Sequence, residues 1–129
     1  MRKSIDIASL SHLAPIPAAT RVGPLITCSI TSPYNPGTRE CPDDIAAQVE
    51  NLFVHVGQML EAAEATWEHV AKMTFYVVDL EVAIPALNQV WEDKFPDKAS
   101  RPSRHSVSVA DDGSGIKICC DFIAFCEDS

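Results

Sequence analysis

"VAKMTFYVVDL", residues 70–80, is the stretch on which the fold turns. Met73, Phe75 and Val77 alternate there with Thr74, Tyr76 and Val78. An extended chain with this pattern is apolar on both faces, so it belongs inside a sheet that is covered on both sides. One cover lies just upstream. From Asp44 to Ala65 the residues Ile45, Val49, Leu52, Phe53, Val56, Leu60 and Ala63 form a stripe at helical spacing, which predicts a helix of about 20 residues lying on the sheet. Gln48, Asn51, His55, Gln58 and Glu61 fall on the other side, and His55 is expected to be a solvated surface residue. A second helix is predicted from about Pro85 through "ALNQVWEDKF", with Pro in its permissive first turn and Leu87, Val90 and Trp91 as its apolar face. No helix is left for the second face of the strand, and another subunit is the candidate cover.

Working outward, "AATRVGPLITCSI" (18–30) reads as a hairpin around Gly23-Pro24. "TSPYNPGTRECPDD" (31–44) is a loop, closed by Asp43 or Asp44 as a helix cap. Beyond the second helix, "RHSVSV" (104–109) places His105, Val107 and Val109 on one side of a strand and Ser106 and Ser108 on the other. "DDGSG" (111–115) makes a turn, and "IKICCDFIAF" (116–125) makes the last strand. The two C-terminal strands, joined by this short turn, are expected to pair with each other. The order is hairpin, helix, strand, helix, strand, strand, which makes residues 1–129 a single α+β domain with helices on one face.

Composition removes several functions. Ten basic against eighteen acidic residues give a net charge of −8, the wrong sign for gripping nucleic acid. No apolar run approaches the roughly 18 residues of a membrane span, and the N-terminus has no signal-peptide core. A cytoplasmic location without membrane or nucleic-acid partners is expected. The five cysteines show no CxxC spacing, and the adjacent Cys119 and Cys120 would point to opposite faces of a strand. Neither a metal site nor a disulfide framework is expected.

Two residues stand out chemically. Asp121 is the one charge in "ICCDFIAF" (118–125), where an unpaired carboxylate would be costly and burial would raise its pKa. Arg104 stands at the entry of the preceding strand. Facing one cleft, the two could hold an anionic substrate and activate a water. The alternative is a buried structural Arg–Asp pair.

The motifs in their order resemble those of the YjgF/RidA family of imine and enamine deaminases. "CSITSPYNPGTRE" matches that family's "TSGQIPxxPxTGE"-like loop, "DIAAQVENLFVHVGQMLEAAE" its first helix, and "VAKMTFYVVDL" its "VxKxTvyvxDl" strand. "RPSRHSVSVA" matches "RPARSxVxVa", and "ICCDFIA" matches "VEIEaIA". The resemblance implies a chorismate-mutase-like sheet with two helices on one face, assembled as a homotrimer around a central barrel, with sites in the clefts between subunits. It implies that Arg104 grips the substrate carboxylate, that Asp121 positions the attacking water, and that Ser106, Asn88, Ser29 and Ile16 line the pocket. Hydrolysis of a carboxylate-bearing imine to keto acid and ammonia would need no cofactor. Ile16 stands where the family usually has tyrosine, "SIT" replaces "SGQ", and Asp121 replaces glutamate. These departures suit a different substrate of the same class, such as an aminomuconate-like enamine. They also suit a non-catalytic trimer that binds or senses small carboxylates.

Overall fold

A computed structural model describes residues 1–127. Its strands are β1 (Arg2–Ile5), β2 (Ala19–Val22), β3 (Leu25–Cys28), β4 (Val70–Val77), β5 (Ser103–Ser108) and β6 (Ile118–Phe125). They form one mixed sheet in the order β1-β2-β3-β6-β4-β5, against which α1 (Ile45–Ala62) and α2 (Leu80–Lys94) pack. Phe75 of β4 marks the shared face, because it contacts both Phe53 of α1 and Trp91 of α2. The expected α+β architecture is present, as is the hairpin, where Gly23 takes the left-handed conformation (φ 57°) that the tight β2–β3 turn requires.

The two C-terminal strands do not pair with each other. β4 lies between them, parallel to β5 and antiparallel to β6. The turn that joins β5 to β6 straddles the end of β4: the Val109 amide donates to the Val77 carbonyl, and the Val78 amide donates to the Lys117 carbonyl. The apolar pattern of β4 favours this interior position, since Met73, Phe75 and Val77 are fully buried there. β1, which the sequence pattern did not reveal, pairs with β2 at the sheet edge.

The α1 stripe is as expected, and Asp44 accepts a hydrogen bond from the Ala47 amide as its N-cap. Part of its other face is covered, although Glu50 and Glu61 are exposed. His55 is fully buried. Its Nε2–H donates to the Tyr34 carbonyl (2.7 Å), and its Nδ1 accepts from the Ser9 hydroxyl (2.7 Å). Gln48, also fully buried, donates from Nε2 to the Pro42 and Gly115 carbonyls and accepts the Lys117 amide at Oε1. Asn51 donates to the Pro33 carbonyl and to Asn35. Gln48, Asn51 and His55 of α1 are therefore roofed largely by the 31–42 loop, whose backbone they satisfy. Desolvation pulls the His55 pKa below the ordinary histidine value.

The second helix starts five residues before Pro85, at Leu80. Asp79 caps it through the Glu81 and Val82 amides, so "DLEVAI" opens a helix rather than extending β4. Among the described residues no helix is long and apolar enough to cross a membrane. The sheet face away from the helices is open. Leu25, Val107, Ile123 and Phe125 are exposed there.

Candidate functional site

Arg104 is set by its register. It aligns with Met73 of β4, which in turn aligns with Phe122 of β6, and both of these are buried under the helices. Residues in one such row share a face, so Arg104 points to the helical side of the sheet. There α2 presents Asn88 and Trp91, three residues apart and therefore on one face of the helix. The Arg104 guanidinium donates to Asn88 Oδ1 (2.7 Å) and lies 5.1 Å above the Trp91 ring. Desolvation lowers its pKa, but an arginine remains charged at any physiological pH. Among the described residues it has no carboxylate partner. Ser106, two residues on, is half-buried on the same side. The expected group of Arg104, Ser106 and Asn88 is thus assembled, with Trp91 as an unexpected fourth member.

Asp121 belongs to the other face. It aligns with Thr74, which aligns with His105, a row one residue out of phase with that of Arg104. Its Oδ2 accepts a 2.7 Å hydrogen bond from the Tyr76 hydroxyl. The partner of this carboxylate is a neutral phenol, neither the cation nor the empty surroundings that the apolar run suggests. The bond pushes the Tyr76 pKa above the ordinary tyrosine range, with burial adding to the shift. Nearby thiols are kept protonated by burial: Cys119 is pushed up to about 11 and Cys28 to about 12.

The remaining two residues sit at this end of the sheet. The Ser29 hydroxyl donates to the Pro17 carbonyl and its amide to the Ala18 carbonyl, which ties the Ile16–Ala18 segment to the Ser29–Thr31 loop. His12 donates to the Ile30 carbonyl, and Thr31 exchanges two backbone hydrogen bonds with Cys120, the neighbour of Asp121. Ile16 and Ile30 are exposed. Ser29 spends its hydroxyl on holding the loop.

The six expected site residues therefore fall into two groups on opposite sides of the sheet. Asn88, Arg104 and Ser106 occupy the helical side, while Asp121 stands on the open side with the Ile16 and Ser29 segments tied to its strand. Arg104 and Asp121 do not face one cleft within this chain. Their expected convergence required β5 and β6 to be neighbours facing the same way, and the intervening β4 and the register prevent it. Sequence reasoning also missed Tyr76. Its alternation with Met73 and Phe75 placed it on the second face, but its partner emerges only from the β4–β6 pairing. Arg101 is separate: its Nε donates to the Phe95 carbonyl, and it lines a cavity of about 460 Å³ with Trp67, Lys94 and Phe95.

Residues 7–126 match the family described as Endoribonuclease L-PSP. The 2-iminobutanoate/2-iminopropanoate deaminase of Escherichia coli is 32% identical over 113 residues, covering 87% of this chain and 88% of the relative. A RutC family protein of Aquifex aeolicus is 31% identical, covering 74% of this chain and 80% of its own. Among solved structures, the YjgF gene product of E. coli superposes with a TM-score of 0.84 at 30% identity, over 95% of this chain and 98% of that one. E. coli TdcF with bound serine superposes with a TM-score of 0.85 at 25% identity, over the same shares.

Proposed function

The chain belongs to the endoribonuclease L-PSP family of RutC- and YjgF-like proteins, and from that premise we propose that it hydrolyses a short 2-imino acid, or its enamine, to the 2-keto acid and ammonia. The observation that carries the reading is Arg104. A guanidinium oriented by Asn88 and lying over Trp91, with no protein carboxylate to neutralise it among the described residues, is an anchor for a substrate carboxylate. The relatives' substrates, 2-iminobutanoate and 2-iminopropanoate, carry that group beside the C=N bond, and the serine bound by TdcF is a short carboxylate as well. They favour short imino acids over the longer aminomuconate-like class. The net charge of −8 works against the nucleic-acid cleavage that the family description names.

In the proposed reaction Arg104 fixes the carboxylate of the substrate in its protonated, iminium form (C=NH2+), and Asp121 accepts a proton from water as its oxygen attacks the imine carbon. The resulting carbinolamine takes that proton back on nitrogen. The C–N bond then breaks, ammonia leaves, and loss of the hydroxyl proton gives the ketone. No redox change occurs and no cofactor is required. Because Arg104 and Asp121 occupy opposite faces, the cleft that unites them must form between copies of the chain. A closed homotrimer, with the open sheet faces turned inward, supplies both this cleft and a cover for Leu25, Val107, Ile123 and Phe125.

The test mixes two inactive proteins. Arg104→Ala and Asp121→Asn, unfolded together and refolded, should regain about a quarter of wild-type ammonia release, the share of randomly formed interfaces that keep both intact residues. No recovery, or full activity from a species that light scattering identifies as monomeric, would refute the shared cleft. Saturable binding of short carboxylates with no turnover of freshly generated imines would instead establish a binder.

A further inference from the structure

Asp121 carries two carboxylate oxygens, and among the described residues only Oδ2 has a protein hydrogen-bond partner. The Tyr76 hydroxyl donates to Oδ2 at 2.7 Å from the adjacent strand, where Tyr76 and Asp121 share the open face of the sheet. Both side chains are only partly buried. The contact therefore does not serve the main core, which lies beneath the opposite face. A carboxylate held at one oxygen loses its freedom to rotate about the Cβ–Cγ bond, and its other oxygen then has a fixed direction. We infer that Tyr76 is the positioning residue for Asp121, holding Oδ2 so that Oδ1 alone takes the proton of the attacking water. This rests on the reading of Asp121 as the base. It also accounts for the working of a side chain one methylene shorter than glutamate. A shorter carboxylate reaches less far, so its direction must be fixed rather than searched.

Tyr76→Phe removes a single oxygen from a half-exposed ring. It is expected to lower kcat for 2-iminopropanoate hydrolysis by about ten- to a hundredfold, the usual effect of misplacing a reacting group by about 1 Å. KM should stay within about twofold, because Arg104 and not Tyr76 binds the carboxylate. The bond itself can be read without turnover. The chain has two tyrosines, Tyr34 and Tyr76, so phenolate absorbance in the wild type should show one titrating above the ordinary range, as the Asp121 bond dictates. Asp121→Asn should largely relieve that shift. Undiminished kcat in Tyr76→Phe beside an inactive Asp121→Asn would overturn the positioning role and leave the deaminase reading intact. Undiminished kcat in Asp121→Asn would remove Asp121 from the chemistry and the inference with it. An ordinary titration of both tyrosines in the wild type would refute the bond.

Discussion

Replacing Arg104 by lysine keeps the charge and removes the geometry. The guanidinium in the structure gives one N–H to Asn88 Oδ1 at 2.7 Å, and its central carbon lies 5.1 Å from the Trp91 ring centre. A guanidinium has five N–H groups in all, so enough remain to meet both oxygens of a carboxylate. Lysine brings a compact ammonium with no plane to stack, and it cannot address Asn88 and two carboxylate oxygens from fixed directions. The substitution forfeits one charge-assisted hydrogen bond, worth about 1.5–3 kcal/mol. Arg104 is only half-buried, so the lower end applies. That predicts a loss of about tenfold, since about 1.4 kcal/mol is one decade in affinity. The assay is calorimetric binding of 2-oxobutanoate, the keto acid formed from 2-iminobutanoate, with kcat/KM for the imino acid measured alongside. Arg101→Ala is the control. It removes a cation three residues away whose Nε is spent on the Phe95 carbonyl. Equal losses from the two variants would mean a diffuse positive field, and an Arg104→Lys protein that binds like wild type would refute the anchor.

His55 gives a pH dependence of stability. Its folded pKa lies below the unfolded value, so the unfolded chain binds more protons, and the contribution is complete above the ordinary histidine pKa of about 6.5 and shrinks as pH falls through that value towards the folded one. The melting temperature should drop more steeply between pH 7 and 5 in the wild type than in His55→Gln, and parallel curves would refute the link. Gln48→Ala should lower stability by at least about 2 kcal/mol in urea unfolding, because it strips partners from the Pro42 and Gly115 carbonyls and the Lys117 amide. A change under about 0.5 kcal/mol would mean that water replaces the amide.

Elements with a strong local signal were legible in the sequence. The α1 stripe, an aspartate cap at 43 or 44, the Gly23 turn and the alternation of β5 all follow from spacing and side-chain chemistry over a few residues, and the structure settles the cap as Asp44. What escaped was decided at long range. His55 looked like a surface residue because α1 alone has one apolar face. Its burial comes from Ser9 and Tyr34, which are 46 and 21 residues away in sequence. The start of α2 was misplaced because Leu80, Val82 and Ile84 continue the apolar run of β4, and only the Asp79 cap separates them. At the site, Arg104 and Asp121 were recognisable from the family motifs as individual residues. The strand between them was not, because a short turn says that two strands are close in sequence without saying which edge each one takes.

That intervening strand also explains why a register slip within one chain does not bring Arg104 and Asp121 to one face without cost. Arg104 and Asp121 lie in adjacent rows of the sheet, so the period of two sends their side chains to opposite faces. Sliding β6 by one residue against β4 would bring Asp121 to the side of Arg104. The same slip would turn Phe122, Cys120 and Ile118 out of the core, and all three are now nearly or fully buried. Fully burying a side chain of the size of Phe or Ile contributes about 1.5–3 kcal/mol, so the slip costs several kcal/mol before any ladder hydrogen bond is counted. The core therefore locks the register, and the register keeps Arg104 and Asp121 on opposite faces. Under the proposed reaction, a guanidinium and a carboxylate held on opposite faces would meet one substrate between two copies of the chain. If Arg104→Ala and Asp121→Asn failed to complement in mixed assemblies, the Arg104 cleft would have to find its base among the side chains of its own face.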